Sequence, residues 1–405
     1  VSVEPSGAHG WWRARLFGAR IEDRDTRVLA VTQFIAGFSF NFIYVMLPFY
    51  IQRISPYDPA TTLLWTGLIM GSTGVTSTIF APVWGTMASR IGPRFLYQLG
   101  LGIECVMIAG IALTTSLPVI FLCRLGVGLT GGISTIGLII VTATSAPARR
   151  TANVGVLQSA QTMGQITGPL GAALLGELLG IRGAIFLAVG LLGCSMLLAN
   201  RMLSRVRRFT PPTAGDRPAV RHIAAAWAIC FAASLQIIFL PSILPRLLDD
   251  FGVPPAGAVR LAGVIVFSYG LSATAGSLLI SRYAGRVGRR RIVALAGFGS
   301  AALQALLGLA WSVPSFAVLR VLQTGLVAGI LPVVFAEVAE SGRGHLIGLI
   351  NTSRFASSAA GPFLATFLLA HGGPWAIFLL FGGFAAAATT AFLRVPQAAL
   401  SARAI

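Results

Sequence analysis

Long apolar runs alternate with short polar breaks along almost the whole chain. A membrane-crossing helix takes about 20 mostly apolar residues. Twelve stretches qualify: 28–50, 62–84, 95–114, 118–142, 153–177, 183–203, 222–246, 258–281, 292–312, 314–337, 345–369 and 374–394. The one long polar break, Ser204 to Val220, is rich in Arg and Pro and reads as a flexible linker. The pattern therefore predicts an N-terminal segment 1–27, a six-helix bundle 28–203, a linker 204–221, a second six-helix bundle 222–394 and a tail 395–405. The expected fold class is an all-α membrane protein with twelve transmembrane helices.

Composition agrees with that pattern. The 405 residues are 55% hydrophobic and 10% charged, far from a soluble core. The net charge of +18 comes entirely from arginine, since the chain has no lysine. With the N-terminus inside, twenty-three arginines fall on inner segments, four (Arg53, Arg182, Arg246, Arg260) on outer loops and three (Arg124, Arg320, Arg354) inside helices. That asymmetry predicts both termini on the cytoplasmic side. It also argues against nucleic-acid binding, which needs a basic stripe with interleaved aromatics. Trp11, Trp12, Arg13 and Arg15 read as interfacial anchors. No cleavable signal pattern precedes the first apolar run. Cys105, Cys123, Cys194 and Cys230 sit inside apolar runs and read as small core residues. His9, His222, His345 and His371 are scattered, so no metal site is expected, and no phosphate-binding loop or cofactor motif appears.

The segment Asn153–Ala173 stands out. Gly155, Gly164, Gly168 and Gly171 thin one side of it, Pro169 removes a rung of its backbone ladder, and Gln158, Gln161 and Gln165 form one polar stripe. A shift of 193 lays Gly155 on Gly348, Gly168-Pro169 on Gly361-Pro362, and the glutamine stripe on Asn351, Arg354 and Ser358. A shift of 196 lays Pro118 on Pro314, Arg124 on Arg320, and the loop 88–94 on 284–290. The two halves are a parallel repeat.

Three motifs carry a family resemblance. The loop Gly85–Arg94 keeps Gly85, Arg90, Gly92 and Arg94 of a Gly-and-basic pattern, but has Ser89 where an Asp is expected; the second copy has Gly285 there. Arg124 and Gly128 form R-x-x-x-G. Gly155, Gly164 and Gly168-Pro169 follow an antiporter spacing and end in Ala172-Ala173. On these, the chain resembles major facilitator superfamily transporters, in particular the twelve-helix drug:proton antiporter branch. The resemblance implies two pseudo-symmetric six-helix bundles, each of 3+3 inverted units, exchange of a small-molecule substrate against protons, and a bacterial inner-membrane monomer. It also implies a gating role for the loop residues, with Glu337 a partner for Arg286 or Arg290 in place of the missing Asp. Topology and lipid headgroup contact are the alternative role for those arginines.

Ionisable groups at the bilayer centre are costly, and few occur. Glu104 and Arg124 lie at similar depth on neighbouring segments. They form either a proton-coupling pair or a structural ion pair. Arg354, always protonated, either lines a cavity or snorkels to the surface. Asn41 and Gln236, with Phe38, Phe40, Phe42 and Tyr44, add candidate substrate contacts, and Pro48 and Pro245 are expected to kink their segments. With Gln158, Gln161, Gln165, Asn351 and Arg354 they make the candidate binding set. The leading expectation is a proton-coupled exporter of a small organic compound, anionic or zwitterionic, siderophore- or drug-like. An importer or exchanger of an organic anion clamped by arginine, and a non-transporting scaffold or sensor, are the alternatives. No enzyme activity is expected.

Overall fold

The computed structural model describes residues 24–146, 149–204, 220–339 and 344–395. They form thirteen α-helices: α1 Arg24–Ile54, α2 Pro59–Ile91, α3 Pro93–Leu113, α4 Leu117–Gly128, α5 Ile133–Thr144, α6 Arg150–Met202, α7 Val220–Ile238, α8 Leu240–Asp250, α9 Pro255–Val287, α10 Arg289–Leu306, α11 Val313–Val327, α12 Ile330–Ala339 and α13 Gly344–Arg394. A short 3-10 turn, Leu307–Leu309, follows α10. Trp11, Trp12, Arg13 and Arg15, most of the expected linker, Arg343, the tail beyond Val395 and the surroundings of Gly85, Ser89, His222, His345 and Gly348 lie outside the described residues.

Among the described residues nine helices are long and apolar enough to cross a membrane, and the bent pair α7–α8 makes a tenth. Two of these count double. Helix α6 has 53 residues and leaves helical geometry at Gly180, where φ is 66°. Helix α13 has 51 and does so at Gly373, where φ is 74°. Both positions use the left-handed freedom of glycine. Long-range contacts show that α6 folds back there. Arg182 Nε donates to Tyr50 Oη (3.0 Å) near the end of α1, and the backbone N–H of Ser204 donates to Asp25 (3.0 Å) near its start. The second arm of α13 likewise runs from Trp375 beside Gly308 to Leu393 beside Arg290. The crossings therefore number twelve, as the pattern predicts.

Three crossings are broken where the pattern shows them whole: α4/α5 at residues 129–132, α7/α8 at Phe239 and α11/α12 at residues 328–329. A break frees backbone carbonyls, and in a membrane each needs an internal donor. Helix α2 supplies one for the first: Trp84 Nε1 donates to the Leu129 carbonyl at 2.6 Å. Thr73, Thr76 and Ser77 hydroxyls add side-chain bonds to the carbonyls of Arg124, Leu125 and Gly128 at 3.0, 3.0 and 3.1 Å, of which the last two also accept backbone N–H groups. Helix α1 runs through Pro48, α6 through Pro169 and α8 through Pro245 without interruption, and the seventh crossing parts before Pro241 with a bend of 41°. A proline removes one rung and bends a helix without ending it. Cys194 also departs from expectation. It is exposed on the bundle surface, whereas Cys230 is buried.

The two bundles meet along two seams. On one, Gly67, Gly71 and Gly74 of α2 lie directly against the backbone of Ser358–Thr366 on α13. On the other, Gly263 of α9 faces Pro169 and Ala173 of α6, and Arg260 pairs with Glu177 at 3.7 Å. Both seams run from mid-depth to the face where Tyr57 lies. Toward the opposite, arginine-rich face, a methyl placed on Gly155, Gly270 or Gly285 would meet open space. The close-packed seams recorded between the bundles thus lie toward the Tyr57 side.

Candidate functional site

The polar stripes lie away from those seams, in the halves of their helices nearer the arginine-rich face. On the first arm of α6, Gln158 and Gln165 are exposed and Gln161 is half-buried. On α13, Asn351 is half-buried and Arg354 exposed. Arg354 is held through its backbone: its carbonyl accepts from Ser357 and Ser358 hydroxyls at 2.8 and 3.0 Å. Among the described residues its guanidinium has no hydrogen-bond or ion-pair partner. An exposed cation on one bundle and neutral amides on the other can together hold an organic anion and hydrogen-bond its polar groups.

Two other candidates of the binding set are occupied elsewhere. Asn41 Nδ2 donates to the Gly37 carbonyl one turn back on α1 (3.1 Å). Gln236 is buried and its Oε1 accepts from Gln323 Nε2 at 2.8 Å. Gln236 therefore belongs to a hydrogen-bond network around Arg320, whose Nε alone has no partner in it. That arginine donates Nη1 to the Gln236 carbonyl (2.7 Å) and to Gln323 Oε1 (2.8 Å), and Nη2 to the Ile237 carbonyl (3.0 Å). Its guanidinium lies 4.7 Å from the Tyr269 ring centre and 5.2 Å from that of Phe239. Sequence reasoning missed this network. The signal was Pro241, whose absent N–H frees the Ile237 carbonyl.

Arg124, the repeat partner of Arg320, is differently placed. It is 1% exposed, its Nε and Nη2 have no hydrogen-bond partner, and its guanidinium stands 5.7 Å from the Phe40 ring centre. Glu104 is 5% exposed on α3. Among the described residues no salt bridge within 4 Å joins Glu104 and Arg124, but the two buried charges lie close enough to interact electrostatically.

The gating residues resolve into local roles. Gly92 has φ 99° at the turn between α2 and α3, and Gly288 has φ 95° at the matching turn between α9 and α10, which accounts for glycine at this motif position. Arg94 donates to the Asn200 carbonyl at the end of α6, and Arg290 to the Leu393 carbonyl at the end of α13 (3.1 Å). Each cation thus caps the last crossing of its own bundle, where the helix dipole favours it. Arg90 and Arg286 are exposed. Glu337 is buried at 3% exposure. Gly164, Gly168 and Gly171 pack on Phe34, Phe38 and Phe42 of α1 within one bundle, and Pro169 faces the other bundle at Gly263. Gly155 is exposed and packs on nothing within 4 Å, so the close-packed groove begins at Gly164.

Known proteins place this architecture. The profile of the Major Facilitator Superfamily matches residues 29–261 and 225–404. The multidrug resistance protein MdtG of Proteus mirabilis (strain HI4320) is 23% identical over 361 residues, covering 85% of this chain and 89% of its own. Among solved structures, the human organic anion transporter MFSD10 superposes with a TM-score of 0.67 at 19% identity, over 91% of this chain and 99% of its own. A bacterial homologue of the human lysosomal transporter Spinster, inward-facing and unoccupied, superposes with a TM-score of 0.69 at 15% identity, over 92% and 98%. With twelve crossings in two repeated bundles and that profile across nearly the whole chain, this multi-pass membrane protein belongs to the major facilitator superfamily of transporters.

Proposed function

We propose that the protein exports a small organic compound bearing an acidic group, in exchange for protons, by alternating exposure of a site between the two bundles. The arginine asymmetry supports placing the arginine-rich face, and both termini, on the cytoplasmic side of a bacterial inner membrane. The observation that carries the reading is Arg354: a fixed cation, exposed and unpaired among the described residues, on the polar stripe of α13. The relatives support export, because they are named for multidrug resistance. The organic anion transporter in the same fold supports acidic cargo.

Glu104 is the proton carrier in this reading. It is the buried carboxylate at mid-depth, and the buried Arg124 lies on a neighbouring crossing. Uptake of the proton neutralises Glu104; its loss restores a charge that favours Arg124. Arg124, with two donors unmet, equally suits a second reading: uptake of an organic anion clamped by Arg354 and Arg124.

Proteoliposomes with an internal pH dye test both. Export by exchange predicts proton movement opposite to cargo, abolished by Glu104→Gln. Arg354→Gln should reduce transport of acidic cargo at least about tenfold while leaving the melting temperature unchanged. Full transport in Arg354→Gln would take that residue out of the site. Cargo movement without any proton flux would refute exchange.

A further inference from the structure

At the bend between α7 and α8, three consecutive carbonyls need donors from outside their own helix. Pro241 has no N–H for the Ile237 carbonyl. The N–H of Ser242 turns to the Phe239 carbonyl (3.2 Å) and so leaves that of Ile238. The bend measures 41°. Arg320, in the same bundle, takes the carbonyls of Gln236 and Ile237. The third donor comes from the other bundle: Tyr44 Oη on α1 donates to the Ile238 carbonyl at 3.0 Å.

We propose that Tyr44 is a latch between the bundles, closing the Tyr57 side only while the seventh crossing is bent. The proposal rests on the alternating-access reading above. An unmet carbonyl inside a membrane is costly. When the bundles part on the Tyr57 side, Ile238 loses Tyr44, and the nearest replacement is its own helical donor, Ser242. Recovering that bond straightens the α7–α8 bend. Opening of this face and straightening of the helix are therefore one event, and Arg320 sets how readily it occurs by holding the two preceding carbonyls in the bent form. Tyr44 is a positioning residue here, acting on the equilibrium between states rather than on cargo.

The test uses the full chain in lipid nanodiscs, with Cys105, Cys123, Cys194 and Cys230 changed to serine. Spin labels go on Ala60→Cys and Ala256→Cys, exposed positions in the first turns of α2 and α9, one on the Tyr57 face of each bundle. Double electron–electron resonance then reads the distance between the bundles. A single hydrogen bond of ordinary net strength predicts that Tyr44→Phe raises the far-open population about 2- to 10-fold. Tyr50→Phe also removes a hydroxyl, but one bonded to the Thr114 carbonyl within its own bundle (2.7 Å); it should leave the distribution unchanged. Pro241→Ala returns an N–H to the Ile237 carbonyl and should shift the distribution in the same direction as Tyr44→Phe. The double variant should shift further than either single, by about the product of their two factors, because both act on one equilibrium. Two distances in the wild type with Tyr44→Phe unchanged, or a double variant shifted no further than Pro241→Ala alone, would overturn the latch alone. One distance at every pH in both wild type and Tyr44→Phe would overturn alternating access together with it.

Discussion

Arg124 and Arg320 are equivalent by sequence repeat and opposite by structure, and a paired substitution separates them. Arg320→Gln strands the carbonyls of Gln236 and Ile237, which accept from its guanidinium at 2.7 and 3.0 Å. A buried acceptor left unmet costs about 1–3 kcal/mol, so the two together cost about 2–6 kcal/mol. The cation–π contacts with Tyr269 and Phe239 add about 1 kcal/mol. Relief of the buried charge offsets part of this, leaving a net loss of about 2 kcal/mol or more. Arg124→Gln removes no such bond, because Nε and Nη2 have none. It gives up one contact with Phe40 and the charge interactions with Glu104 and Tyr44 and gains the same relief, for a net loss smaller than that of Arg320→Gln. For a unit of about 150–250 residues, 1 kcal/mol moves the melting temperature by about 2–4 °C. Tryptophan fluorescence melts in detergent at one heating rate should therefore place Arg320→Gln below Arg124→Gln, by that amount for each kcal/mol between them. Transport in proteoliposomes should rank them the other way, relative to each variant's folded fraction. Equal melting temperatures, or Arg124→Gln as the less stable, would refute the division of roles.

Gly71→Ala puts a methyl 2.5 Å from the Ala359 carbonyl oxygen across the seam, well inside ordinary contact. Overpacking of this kind costs about 1–3 kcal/mol, so the variant should melt lower and lengthen the distance between labels at positions 60 and 256. Gly155→Ala meets open space on an exposed helical turn and should melt at the same temperature or higher, since alanine favours helix; a marked fall would contradict the open face. Asp58 caps α2 by accepting from the Thr61 N–H at 3.0 Å, and the hydrogen bonds with Thr61 hold its carboxyl below its ordinary value. A depressed carboxylate stabilises at neutral pH and loses that effect as pH falls through its folded value. Asp58→Ala should thus lower the melting temperature at neutral pH, with the gap closing at pH values below the ordinary carboxylate range. Glu177→Gln breaks an exposed pair with Arg260 and should change the melting temperature by only a degree or so, because such pairs are worth at most about 1 kcal/mol.

The crossings, the repeat and the family were legible because each is a property of composition and spacing. Twelve apolar runs survive as twelve crossings even where Gly180 and Gly373 hide two of them inside single long helices. The motif glycine Gly92 was legible for a similar reason: its turn needs a positive φ, and that need is local. What sequence alone did not disclose depends on which neighbour a group meets. Gly67, Gly71 and Gly74 carry the spacing of a close-packed helix face, yet nothing in their own segment says that the facing helix belongs to the other bundle. The breaks in the fourth and seventh crossings also fall inside apolar runs. Trp84, Arg320 and Tyr44 reach their carbonyls from other helices, and no one segment discloses those partners.

The repeat itself misleads at one point, and the reason is chemical. Under the 193 shift Pro48 lies on Pro241, so each bundle has a proline that frees the carbonyl four residues before it, Tyr44 in one and Ile237 in the other. In the second bundle Arg320 takes that carbonyl and the helix bends. In the first, α1 stays whole and Arg124 keeps unmet donors. Two halves with the same parts have thus settled differently: one arginine is consumed in holding a bent helix, and the other remains available. In the exchange reading proposed above, this departure from symmetry leaves Arg124 beside Glu104 for the proton step while Arg320 is committed to the bend.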